Sequence, residues 1–172
     1  MKPIEILQGK WLGHSLHAAI VHLPLALWIG AAMIDILFLL GVTAAGLVHL
    51  ALYAVVLGFA GALLAIPTGI ADWWPIKPEK PARKLGLAHM LLNAGASAGF
   101  AVNLFLRAKA LDDPLPITAA VAASSGLGAL LLLVSGYIGS LMTFDQGTSV
   151  ARHSKKKWRK LAAESRGNLP PE

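Results

Sequence analysis

The chain has 172 residues, of which 56% are hydrophobic and only 14% charged; its net charge is +6 and it contains no cysteine. Soluble domains carry about 25% charged residues, so this chain has too little charge to coat a surface in water. Without cysteine, disulfides, thiolate metal sites, iron–sulfur ligation by cysteine and c-type haem attachment are excluded, and the length suits one domain.

The hydrophobic residues fall in four blocks, about 18–40, 46–71, 85–106 and 117–142. Each is close to the ~20 residues that cross ~30 Å of hydrocarbon. Backbone groups in lipid must be satisfied within the segment, which predicts helices, and the blocks do not alternate as barrel strands do. The first block is too long for a signal peptide and lacks a small-residue cleavage site, so it reads as a retained span.

The first block opens on LHAAIVHLPLALW (16–28). His17 and His22 are five residues apart, about 140° around a regular helix. They cannot both point inward from one helix. Pro24 offers a solution if regular helix starts near it, since proline suits the first turn. Asp35 lies late in this block and His49 early in the second. Their depths match, which suggests a carboxylate–imidazole pair.

The second block carries Ala54, Gly58 and Ala62 at fourfold spacing, and Pro67, which removes a backbone donor and predicts a kink. Thr68 and Asp72 follow. The connection DWWPIKPEKPARK (72–84) holds three prolines and four basic residues. The third block places His89, Asn93 and Ser97 on one stripe and contains Gly95 and Gly99. The fourth carries Ala122, Gly126, Ser135 and Gly139. Small residues let helices in lipid approach closely. They suit bundle packing, a homo-oligomer face, or room for a flat cofactor.

Four spans put both ends of the chain on one face, together with the 72–84 connection. Thirteen Lys and Arg fall there; the opposite face has only Arg107 and Lys109. This asymmetry predicts a cytoplasmic location for both termini. The expected fold is an all-α, integral membrane, four-helix up-down bundle over residues 1–147, with a basic cytoplasmic tail over 148–172. The basic charge then serves topology and anionic headgroups rather than nucleic acid.

The polar residues His17, His22, Asp72, His89 and Asn93 fall at the cytoplasmic ends of the helices. His22 and His89 each sit about four residues, roughly 6 Å, inside their helices. This depth match makes them candidate ligands of a b-type haem, with His17, Asn93 and Asp72 beside them. His17, His22 and His89 are equally of the type that binds a metal ion or relays protons. A third reading confines all of them to interhelical hydrogen bonds. No hydrolase motif is present, so an electron-transfer or accessory protein is expected rather than an enzyme with catalytic residues.

LHAAIVHLP resembles the L-H-P-x-x-V-H-F-P opening of a bacterial membrane family catalogued as domain of unknown function 2231. Asp35, TGIADW (68–73), Arg83 with His89 and Asn93, and VSGYIGSLMTFDQG (134–147) extend the resemblance over about residues 14–150. Ala18 replaces the family's proline, and Gln146 stands where relatives tend to carry histidine. Some relatives are fused to Rieske iron–sulfur domains. The resemblance therefore implies a bacterial inner-membrane protein, in at least some cases in an electron-transfer setting with a Rieske or cytochrome partner.

Overall fold

The computed structural model describes residues 1–109, 117–148 and 163–164. All regular structure among them is helical: α1 (Pro3–Leu7), a 3-10 turn (Lys10–Leu12), α2 (Leu16–Ile20), α3 (His22–Leu39), α4 (Ala45–Trp73), α5 (Pro81–Lys109) and α6 (Ala119–Phe144). Four stretches are long and apolar enough to cross a membrane: α2 with α3, α4, α5 and α6. At most 33% of the most apolar window of any of them is buried within the chain. Leu37, Leu57, Leu63, Leu91, Leu127 and Leu133 all face outward. Such a surface is stable only against hydrocarbon.

The break between α2 and α3 falls at Val21. Pro24 lacks the N–H that would bond to the carbonyl of Ile20, so the helix is interrupted just before His22. The expected start near Pro24 is therefore close to the observed one. The helices run a turn or less beyond the sequence-based limits at most ends. α5 takes Pro81 into its first turn, which shortens the polar connection to residues 74–80. α4 runs unbroken through Pro67. Thr68 Oγ1 donates to Ala65 O at 2.7 Å and to Leu64 O at 3.3 Å, adding side-chain bonds to the turn that proline weakens. The expected tail over 148–172 lies almost entirely outside the described residues.

The helices neighbour one another in the cycle α3–α4–α5–α6, and α6 packs back on α3. Their common core contains Trp28, Ala31, Ala54, Val55, Ala96 and Phe100. Trp28 and Phe100 stack with centroids 4.8 Å apart, and Phe59 meets Trp28 edge-on at 4.9 Å. Trp28 Nε1 donates to Val55 O at 3.0 Å, so its polar atom is satisfied in an apolar setting.

The small residues have specific occupants. A Cβ on Gly58 would lie 2.2 Å from Trp28 Nε1, and one on Gly128 would lie 2.7 Å from the Phe100 ring. Gly99 faces the backbone of Ser124 and Gly128, where α5 and α6 come close. At these positions the space left by glycine holds the protein's own rings and backbone.

Candidate functional site

His17 and His89 face each other, with ring centroids 6.3 Å apart and planes at 87°. α2 and α5 carry them, and two further helices orient them. His17 Nδ1 lies 3.0 Å from Ala65 O on α4. A carbonyl only accepts, so Nδ1 carries the proton. Thr68 Oγ1 stands 3.4 Å from the same nitrogen. His89 Nδ1 lies 2.9 Å from Ser135 O and 2.8 Å from Ser135 Oγ on α6. Here too the carbonyl requires a protonated Nδ1, and the neutral ring keeps its lone pair on Nε2.

The surroundings fit these rings closely. A Cβ on Gly69 would stand 2.8 Å from His17 Cε1, and one on Gly139 would stand 3.3 Å from His89 Cε1. Asn93 Nδ2 donates to His89 O at 2.8 Å and to Ser135 Oγ at 2.8 Å. Ser135 is itself buried and returns a bond to His89 O at 3.2 Å. Ser97 Oγ donates to Asn93 O at 2.8 Å. The stripe His89–Asn93–Ser97 is therefore a connected hydrogen-bonded row, as the fourfold spacing suggests.

His22 is placed differently from the depth-matching argument. It opens α3 as an exposed residue, while His17, one turn earlier on α2, turns inward. The reason is the helix geometry noted above. Five residues cannot bring both rings to one side, and the break at Val21 does not rotate the chain enough to do so. His17, not His22, is the partner of His89. The set His17, His22 and His89 is not assembled, and among the described residues no three His, Asp or Glu side chains group to hold a metal ion.

Asp72 accepts a 2.9 Å hydrogen bond from Ser15 Oγ. Ser15 in turn caps α2, accepting from Ala18 N at 3.3 Å. Asp72 thus fixes the helix that carries His17. Both Ser15 and Asp72 line an open cleft of mixed polar and apolar surface, together with Lys10, His14, Lys80 and Gln146.

A second polar cluster was not foreseen in this form. Asp35 and Arg107 are buried, 0% and 3% exposed, and form an ion pair through Oδ1 and Nη2. Ser125 Oγ donates to Asp35 Oδ2 at 2.7 Å, and Arg107 Nε donates to Asn103 Oδ1 at 2.7 Å. Asn103 Nδ2 donates to Val121 O at 2.9 Å. The expected pairing of Asp35 with His49 is overturned: His49 lies on the outer surface of α4. Arg107, which falls just beyond the expected third block, lies inside α5 instead. The spacing Asn103–Arg107 is the signal that identifies it, because four residues put both on one face beside Asp35.

No curated protein and no solved structure matches the chain. A family model described as "Predicted membrane protein (DUF2231)" matches residues 13–152, a range that includes both polar clusters and all four membrane-length stretches. The chain therefore belongs to the DUF2231 family of predicted membrane proteins.

Proposed function

We propose that this protein holds a b-type haem between His17 and His89 and serves electron transfer in the bacterial inner membrane, with a Rieske or cytochrome protein as partner. The supporting observation is the pair of imidazoles whose Nδ1 atoms are both tied to backbone carbonyls. Such a bond fixes the tautomer and aims Nε2 as a ligand. The two carbonyls belong to α4 and α6, which face each other across the helix cycle. The two ring centroids lie 6.3 Å apart, and His17 and His89 are the residues that would hold the iron. The donor set fits haem iron. A haem there would supply one-electron transfer. Lys10 and Lys80 in the neighbouring cleft would suit its propionates.

The same reading places the spans in up-down order with both termini cytoplasmic. The contacts of His17 with residues late in α4, and of His89 with residues late in α6, support the alternation. Burial of Arg107 sharpens the charge asymmetry, since it leaves Lys109 as the one solvent-directed basic residue on the far face among the described residues. The chain has no cysteine, so single cysteines report topology cleanly. In inverted vesicles an impermeant maleimide should label Lys10→Cys and spare Val42→Cys. The reverse pattern would overturn the orientation.

The haem assignment is tested by a reduced-minus-oxidised visible spectrum of protein expressed with added haem. A haem band should appear, disappear in His17→Ala and in His89→Ala, and survive in His22→Ala. A wild-type protein without the band defeats the assignment, and elemental analysis of that sample then tests a bare metal ion. The satisfied network of His89, Asn93 and Ser135 favours a second reading, in which the histidines act only as interhelical hydrogen bonds. That reading stands if wild type holds no cofactor and both alanine variants merely melt earlier.

A further inference from the structure

The N-terminal segment is docked rather than trailing. Glu5 Oε2 accepts from Lys2 N at 2.9 Å to cap α1, and Gln8 Nε2 donates to Ala71 O at 2.9 Å. Gly9 turns the chain at a φ of 70°, and a Cβ there would lie 2.3 Å from His14 O. The turn therefore requires glycine on both conformational and steric grounds. α1 is held along the last two turns of α4. Between them runs an almost wholly apolar groove lined by Ile4, Leu7, Pro67, Ile70, Ala71 and Trp74.

The depth of this groove follows from helix length. α4 has 29 residues, about 43 Å at 1.5 Å per residue. The hydrocarbon core takes up about 30 Å of that, so each end of α4 projects some 6 Å into the headgroup layer. Pro67 and Ile70 then lie at the edge of the hydrocarbon and Trp74 among the headgroups, where tryptophan is favoured. Trp74 is 66% and Trp11 57% exposed, as expected of rings placed in that layer. Exposed basic residues flank the groove in the chain: Lys2 just before α1 and Lys77 just after Trp74. The acid nearest to them on α1, Glu5, is already paired with Lys10 at 3.2 Å, and Arg83 is committed to backbone carbonyls.

We propose that this groove seats one anionic glycerophospholipid of the host bilayer, with an acyl chain between α1 and α4 and its phosphate on Lys2 and Lys77. A hydrocarbon-lined slot at headgroup depth, with exposed Lys2 and Lys77 two and three residues along the chain from its lining residues Ile4 and Trp74, complements both parts of such a lipid. The proposal rests on the membrane placement and is independent of the haem reading.

The test uses full-length protein in phosphatidylcholine vesicles with or without phosphatidylglycerol. A nitroxide is placed at Leu7→Cys or, separately, at Ile70→Cys, so that the two walls of the groove report independently. Both labels should be more accessible to oxygen than to a nickel chelate. Both should lose mobility when phosphatidylglycerol is present, and that loss should vanish in Lys2→Gln/Lys77→Gln. Preferential access of nickel would place the groove in water and overturn the proposal. So would mobility that ignores phosphatidylglycerol, or spin–spin broadening that reveals a second copy of the chain in the groove.

Discussion

Asp35 and Arg107, 72 residues apart in the chain, form a buried ion pair that joins α3 to α5. Ser125 completes the carboxylate from α6 and Asn103 orients the guanidinium, so three of the four long helices meet at one neutral cluster. Arg107 Nη1 is the one buried side-chain polar atom without a hydrogen-bond partner among the described residues. The pair acts chiefly as a device of specificity, because a buried ion pair recovers little beyond its desolvation.

This relationship predicts an asymmetry between single and double variants. Asp35→Leu or Arg107→Leu each strands a buried charge and should cost ~3–5 kcal/mol. The double variant should be much nearer wild type than either single change. Thermal unfolding of the three proteins in detergent gives the comparison. A double-variant loss equal to the sum of the two single losses would show that the charges do not meet.

Gly58 and Trp28 make a steric prediction. Gly58→Ala puts a methyl group 2.2 Å from Trp28 Nε1, and overpacking of this kind costs about 1–3 kcal/mol. Trp28→Phe removes Nε1, the nearest clashing atom, so Gly58→Ala should be less damaging in that background. A double-mutant cycle read by unfolding midpoints measures the coupling. Additive effects would refute the contact.

Arg83 predicts that lysine cannot replace it. Its guanidinium lies 3.4 Å above the Trp73 ring, and Nη1 reaches the carbonyls of Trp73, Trp74 and Ile76 at 3.0–3.2 Å. Trp73 and Trp74 close α4, and Ile76 lies in the connection that follows, where its N–H also bonds Trp73 O at 3.1 Å. An ammonium keeps the charge but loses the planar stack and the fork of donors. Arg83→Lys should speed amide hydrogen exchange across residues 74–80 and lower stability by ~1–2 kcal/mol. Unchanged exchange would show that the connection holds itself.

The histidines predict unequal stabilities even where no cofactor is measured. His89→Ala strips the Nδ1 donor from Ser135 O and Ser135 Oγ and should cost ~1–3 kcal/mol. His22→Ala, at an exposed helix start, should stay within about 0.5 kcal/mol of wild type. Melting temperatures of the two variants decide it. If His22→Ala were the more damaging, His22 would have a partner that its exposed position does not provide.

Much was legible in the chain because lipid leaves few choices. Uninterrupted apolar blocks of membrane length must become helices, so their number and approximate limits followed from composition alone. Pro24 announced a helix break, and fourfold spacing announced the His89–Asn93–Ser97 row. The polar clusters were legible only in part, because depth along a helix does not state direction around it. His22 matched His89 in depth yet points outward, and Asp35 matched His49 in depth yet turns to Arg107. Tertiary packing alone decided which side of each helix faced its neighbours, since the apolar surface on all sides carries no stripe to orient it. Packing also decided what the glycines are for. A glycine in the sequence marks space without naming its occupant, and here Trp28, Phe100, His17 and His89 occupy it.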